Sequence, residues 1–179
     1  MDRMLLERAL LYRVLRLRPF RPEDEAAARA AHRAMEAEEF PFLLDYVPNE
    51  PWSFYLQRRQ ANRLGQQLPL RWVPTTVLAA TVQDQLVGRI SIRHQLNAWL
   101  ARYGGHIGYA VVPGFRGRGY GTEILRQGLV VARAEGINEV LVTCNVDNVA
   151  SARVIEACGG EFESIAEGDD KPKRRYWFR

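Results

Sequence analysis

The sequence predicts a mixed α/β domain, and three observations carry that expectation. Period-two apolar segments come first as a meander of strands, and strands then alternate with helical patterns, as in one sheet covered by helices. Between residues 111 and 122 a strand runs through a glycine-rich turn into an amphipathic helix. No repeat, low-complexity tract or linker divides the 179 residues, so residues 1–179 are expected to form a single domain with its own core.

The elements follow in order. Tyr12 to Leu17 alternates apolar residues with arginines and reads as a first strand. Pro22 suits a first helical turn, Glu23, Asp24 and Glu25 favour a helix N-terminus, and the alanine-rich stretch carries that helix to about Glu38. Prolines at 41, 48, 51, 69 and 74 interrupt the next region, within which Trp52 to Leu64 reads as a second helix. Thr76 to Val82 and Leu86 to His94 are strands joined by a turn at Gln83-Asp84-Gln85, and Gly105 to Val112 is a fourth strand. Gly121, Ile124, Leu125, Gly128, Leu129 and Ala132 then share one helical face, which Gly136 terminates as a left-handed cap. A strand at Glu139 to Thr143, a helix at Asn148 to Cys158, and strands at Glu161 to Ile165 and Arg174 to Phe178 complete the chain.

Composition narrows the function. No segment approaches the ~20 uninterrupted apolar residues of a membrane helix, and Asp2, Arg3, Glu7, Arg8 and Arg13 break up the leucine-rich start, so no secretory signal is expected. Cys144 and Cys158 have no metal-ligand spacing and read as reduced, buried thiols. A cytoplasmic protein without a metal site or membrane partner is the expectation. The net charge of +4 suits an anionic ligand such as a polyphosphate. The basic C-terminal run, Lys171 to Arg179, reads as a last strand with alternating faces rather than as a nucleic-acid surface, so no nucleic-acid partner is expected.

The sharpest feature is Val111-Val112-Pro113-Gly114-Phe115-Arg116-Gly117-Arg118-Gly119-Tyr120-Gly121-Thr122. A strand ends, glycines permit close backbone approach, and a helix begins, so free amides at the helix start make an anion site beside the charges of Arg116 and Arg118. A P-loop would need Gly-Lys-Ser/Thr, and no lysine follows Gly119 or Gly121. A dinucleotide fingerprint starting at Gly117 would need a third glycine where Thr122 stands. The pattern Arg-x-x-Gly-x-Gly is met by Arg116, Gly119 and Gly121.

This turn resembles motif A of the GNAT superfamily of N-acetyltransferases. Asn148, Ser151 and Gly159 resemble the family's second signature, Asn-x-x-Ala/Ser followed by a helix-ending glycine, and the element order agrees over nearly the whole chain. Within the superfamily, Arg93-His94-Gln95-Leu96-Asn97 followed by Gly104-Gly105-His106-Ile107-Gly108-Tyr109 resembles a little-characterised group of acetyltransferases. The resemblance implies a GNAT-like, mostly antiparallel central sheet, flanked by helices and splayed between its fourth and fifth strands. Acetyl-CoA would be the cosubstrate wedged into that gap. Amides of Arg118, Gly119, Tyr120, Gly121 and Thr122 would hold the pyrophosphate, with Arg116 and Gly117 in the same turn. The Val111–Val112 backbone would pair with the pantetheine, and Asn148, with Ser151 beside it, would meet that arm from the helix start.

Acetyl transfer to an amine needs a base for the amine's proton and stabilisation of the oxyanion, for which a backbone amide near Val111 is available. His106 is the first expectation for the base, because similar ribosomal-protein acetyltransferases carry Glu at the start of the corresponding Glu-Ile-Gly-Tyr segment. Its alternative is a strand histidine satisfied by a neighbouring backbone group. His94 and Glu39 stand in reserve. Many family members carry a tyrosine acid seven residues after the motif asparagine, where this chain has Ile155; Tyr109, Ser151 and Cys144 remain open as substitutes.

The expected acceptor is a small-molecule or peptide amine. Phe40, Phe42, Asp45, Tyr46, Glu50, Trp52 and Tyr55 would form an aromatic, acidic pocket for it or else belong to the core, and Arg93 is available to an acceptor carboxylate. The rival function is an acyl-CoA sensor without turnover, for which Ile155 argues. Edge strands leave a homodimer open.

Overall fold

The computed structural model describes residues 14–66, 68–167 and 171–179. Arg16–Arg18 (β1), Thr75–Val82 (β2), Gln85–Arg93 (β3) and Ile107–Val111 (β4) form the expected meander, antiparallel throughout. Tyr12 and Arg13 of the first expected strand lie outside the described residues. The β2–β3 turn closes over two residues, Gln83 and Asp84, both with positive φ of 50° and 60°, the geometry whose twist matches that of the flanking strands.

Val140–Asn145 (β5) then pairs parallel with β4, and Glu161–Ala166 (β6) and Lys173–Phe178 (β7) close a seven-stranded sheet of order β1-β2-β3-β4-β5-β7-β6. A parallel neighbour needs a crossover. Tyr120–Ala134 (α3) supplies it between β4 and β5, and Val149–Ala157 (α4) follows β5.

Two apolar layers sandwich the sheet. On one face Ile124, Leu125 and Leu129 of α3 and Ile155 of α4 pack on Ile90, Ile92, Ile107 and Tyr176. Fully burying each such aliphatic side chain is worth about 1.5–3 kcal/mol. On the other face Glu25–Glu36 (α1) and Trp52–Arg63 (α2) bury Ala28, Ala31, Met35, Trp52 and Tyr55 against Ala79 and Ala110. The first helix stops at Glu36, two residues short of the expected Glu38, because the chain turns left-handed at Glu39 (φ 54°). Among the described residues, no helix is long and apolar enough to cross a membrane.

Candidate acetyl-transfer site

β4 and β5 meet in register at Ile107 and Val142 and then diverge. The apex of this V is fastened by His106. Its amide donates to the Leu141 carbonyl at 2.7 Å, and its ring Nδ1 accepts from the Leu141 amide at 3.0 Å. Gly105 makes the turn into this clasp at φ 63°, where a β-carbon would stand 2.6 Å from the Leu141 oxygen. An Nδ1 that accepts from an amide leaves the neutral ring's proton on Nε2, so His106 has no basic nitrogen to offer a substrate. Burial, and then the charge of Arg93, push its pKa further down. The expectation of a base at His106 gives way to the strand-histidine alternative.

Strand alternation decides which backbone groups face the gap. Arg93 donates to the His106 carbonyl and Val112 to the Val87 carbonyl, so Gly108, Ala110 and Val112 pair with β3, whereas His106 at the apex gives its carbonyl to β3 and its amide to β5. The amides and carbonyls of Tyr109 and Val111 are thereby turned toward β5, where the strands have separated. Val112, expected to pair with a pantetheine, has its N–H spent inside the sheet. The Tyr109 backbone and the Val111 amide are available for that pairing, while the Val111 carbonyl accepts from Arg116 Nε at 3.2 Å.

Beyond β4, Pro113–Phe115 forms a single helical turn and the chain enters the glycine segment. Gly117 and Gly119 sit at φ 74° and 81°, and a β-carbon at either would meet nothing within 4 Å. Among the described residues no backbone carbonyl accepts from the amides of residues 117 to 122; the first helical bond runs from Glu123 to Gly119. Amides without backbone acceptors, beside open space at Gly117 and Gly119, are the kind of donor row that suits an anion. The row opens on a cavity of about 520 Å³ lined by Val111, Arg116, Gly117, Gly119, Tyr120, Gly121 and Thr122 on one wall and Asn148, Ser151 and Val154 on the other.

The arginines of this turn are engaged elsewhere. Arg116 grips Glu38 with two bonds of 2.8 and 2.7 Å and donates to the Val111 carbonyl, tying the α1 terminus to the turn. Arg118 donates to the Gly114 carbonyl, lies over the Phe115 ring, and does not line the cavity. The amides, rather than these two side chains, are what the turn presents to an anion.

On the α4 wall, the Asn148 side-chain oxygen Oδ1 caps the helix by accepting from the Ser151 amide at 3.0 Å. Its side-chain NH2 remains a donor at the cavity wall. Tyr109 reaches across the gap, its hydroxyl 2.9 Å from Ser151 Oγ. Burial pushes the phenol up to about 12, so it keeps its proton across the neutral range.

Next to this cavity lies a second, of about 370 Å³, sharing Glu38, Phe40, Tyr109, Asn145, Asn148 and Ser151 with the first and adding Glu39, Gly108, Thr143 and Cys144. Glu38 is paired with Arg116; Glu39 has no ion pair among the described residues. Glu39 is also held left-handed where a helix end ordinarily places glycine, with Phe40 N–H on the Met35 carbonyl and Glu39 N–H on the Glu36 carbonyl. That backbone costs a residue with a side chain about 1–2 kcal/mol. Cys144 is a poor proton donor here, since burial pushes its thiol up to about 11.

The sequence profile of the Acetyltransferase (GNAT) domain matches residues 14–161. The chain belongs to the GNAT acetyltransferase family. No curated protein sequence matches it at a significant level. Solved structures share the fold of this GNAT acetyltransferase at low identity. The microcin C7 self-immunity acetyltransferase MccE, solved in complex with acetyl-CoA and AMP, aligns with a TM-score of 0.66 at 16% identity, over 92% of this chain and 91% of that one. Mycobacterium smegmatis RimJ, in complex with CoA-disulfide, gives 0.66 at 20% identity over 93% and 82%. RimL, the ribosomal L7/L12 α-N-protein acetyltransferase, gives 0.62 at 20% over 92% and 93%.

Two open readings are decided by the packing of this GNAT acetyltransferase. His94, the reserve base, follows β3 with its Nε2 between Thr76 Oγ1 at 2.9 Å and a Glu135 oxygen at 3.2 Å, and it lines neither cavity. The aromatic, acidic acceptor pocket is instead core and ion pairs. Phe42 and Tyr55 are 1% and 0% exposed, and Trp52 stacks on Tyr55 at 4.8 Å. Arg58 binds both oxygens of Glu50 at 2.6 Å, and Arg59 binds Asp45 at 3.0 Å, which leaves those carboxylates satisfied. Tyr46 pairs with Arg29. Of this group only Phe40 lines the two cavities.

The sequence reading missed the Glu38–Arg116 pair, Asn145, Val154 and Lys173, which complete the walls. It also missed Arg89, a buried guanidinium without a carboxylate. Its nitrogens bond the carbonyls of Pro41, Phe42 and Gly108 and the Ser91 hydroxyl, fixing the loop after α1 over β4. Burial pulls it down to about 10. A separation of 78 residues between Glu38 and Arg116, or 48 between Pro41 and Arg89, leaves no local signal to read.

Proposed function

We propose that this enzyme moves an acetyl group from acetyl-CoA to an amine held in the cavity beside Tyr109. The observation that carries the reading is the row of amides at residues 117 to 122 without backbone acceptors, of which Gly117 and Gly119 to Thr122 line the cavity where β4 and β5 part. These amides hold the diphosphate of the cosubstrate, the backbone of Tyr109 and Val111 pairs with its pantetheine arm, and the Asn148 NH2 donates to the same arm. Acetyl-CoA supplies an activated acyl carbon with a thiolate leaving group.

The chain's own residues then manage charge and protons. Glu39, unpaired at the second cavity, takes the amine's proton directly or through a water. An amide of Tyr109 or Val111 facing the gap stabilises the oxyanion. The Tyr109 hydroxyl donates a hydrogen bond to the departing sulfur. A phenol near 12 cannot give up its proton fully to a thiolate whose ordinary pKa is about 8.5, so Tyr109 stabilises the sulfur's charge and solvent completes the protonation. This phenol arrives from β4, whereas the helix position with Ile155 is wholly buried in the core.

The test is a thiol-release assay with acetyl-CoA and pooled amines, amino acids and peptides, with mass spectrometry of the products. Acceptor-dependent thiol release with a product heavier by one acetyl group is expected. Acetyl-CoA binding without turnover on every pool would replace this reading with that of a sensor.

A further inference from the structure

At the far end of β3 from the glycine turn lies a third cavity of about 430 Å³, within the size range of small-molecule sites. Its walls are Leu44, Leu70, Trp72, Val73, Trp99 and Leu100, and its charged lining residues are Arg93 and Arg71, with no carboxylate. Leu70 and Trp99 are largely exposed although apolar, which leaves an unpartnered aromatic rim. A π-helical turn, Leu100–Gly104, forms one side, a distortion that recurs at functional sites.

Arg93 is the informative residue. Its Nη1 donates to the carbonyls of Gly104 and Gly105 at 3.0 Å each, which fixes the guanidinium plane. Its Nε and Nη2 have no acceptor among the described residues, and no described carboxylate pairs with it. An anchored guanidinium with one edge to spare matches a carboxylate through two parallel hydrogen bonds. Arg93 also stands beside the transfer site. It bonds the His106 carbonyl through its backbone, and its Nη1 lies 4.0 Å from where a β-carbon of Gly108 would be. Gly108 lines the cavity that contains Glu39 and Tyr109.

We infer that the acceptor is an amine that also carries a carboxylate and an aromatic or branched apolar body, of amino-acid to dipeptide size. Arg93 holds the carboxylate, and Trp72, Trp99 and Leu100 cover the apolar body. The inference rests on the acetyltransferase reading for the amine, whereas the carboxylate site is tested without it.

The probes are 3-phenylpropionate and 3-phenylpropanamide, which lack an amine and cannot be acetylated. Their binding is followed by tryptophan fluorescence and calorimetry. The acid is expected to bind about tenfold or more tighter than the amide, the difference between a charge-assisted and a neutral pair of hydrogen bonds. Arg93→Gln should bring the two probes level. Trp99→Ala should weaken both severalfold and preserve their ratio. Titration with acetyl-CoA reports whether each variant is folded. If Arg93→Gln fails that control, the acid-to-amide ratios of the wild type and Trp99→Ala decide. Equal binding of acid and amide to the wild type, or an undiminished preference in a folded Arg93→Gln protein, would overturn the inference. Failure of the wild type to bind acetyl-CoA would overturn the proposed function and leave the carboxylate site standing on its own result.

Discussion

The glycine turn and the loop after α1 face each other across one cavity and are built by opposite means. The turn offers backbone: six amides without backbone acceptors, and two left-handed glycines with open space before them. The α1 side offers side chains held by distant partners, with Glu38 on Arg116, Arg89 under the carbonyls of Pro41 and Phe42, and Glu39 in a backbone conformation that disfavours it. A backbone device is written locally, because glycine adopts the left-handed geometry at the least cost. A side-chain device can be assembled from any residues the fold brings together.

The comparison breaks most severely at Gly119. Gly119→Val places a branched side chain at φ 81° and among the turn's amides, and should weaken acetyl-CoA binding about 100-fold or more while the fold survives. Calorimetric titration beside a thermal melt separates the two effects. On the opposite wall, Glu39→Gln should lower kcat about 100-fold with little change in acetyl-CoA affinity, the usual range for a lost base. Glu39→Gly should lose as much activity yet gain about 1 kcal/mol of stability, since it relieves the left-handed backbone. An active Glu39→Gln enzyme would remove the base from this site. Tyr109→Phe should cost about tenfold in kcat, because one hydrogen bond to the leaving sulfur is lost and solvent still supplies the proton.

His106 belongs to neither wall but to the hinge between them. His106→Ala orphans the Leu141 amide and should cost about 1–3 kcal/mol in denaturant unfolding. His106→Asn, whose side-chain oxygen can accept that bond, should recover most of the loss together with normal turnover. A kcat collapse in a stable His106→Asn protein would return the histidine to catalysis.

The smallest effect is in pH. His106 and His32 both accept backbone amides at Nδ1, from Leu141 and Leu43, and burial lowers both pKa values. The unfolded chain therefore takes up protons first as pH falls below about 6.5. Stability is full above that value and declines as pH drops toward the lowered folded values. His106→Asn should flatten the decline in a urea-unfolding series.

What was legible in the sequence follows the same division. The strand meander, the apolar face of α3 and the left-handed Gly136 at its end all declared themselves, because period and turn chemistry are local. The glycine turn and the helix that follows it were legible as elements, whereas the partners of the Arg116 and Arg118 side chains, in another helix and in the turn's own carbonyls, were not. The acceptor side stayed undecided because aromatic and acidic residues near Trp52 look alike whether they line a pocket or fill a core. Only the tertiary pairing of Arg58 and Arg59 with Glu50 and Asp45 distinguishes the two. His106 was misassigned for a related reason: whether a ring nitrogen is free depends on Leu141, a strand away.

The most direct test of the account is calorimetric titration of acetyl-CoA into the wild-type protein and Gly119→Val. One-to-one binding in the micromolar range, lost in a variant that still melts cooperatively, is the predicted result. No binding by the wild type, or undiminished binding by the variant, would contradict the placement of acetyl-CoA on the amides of this turn.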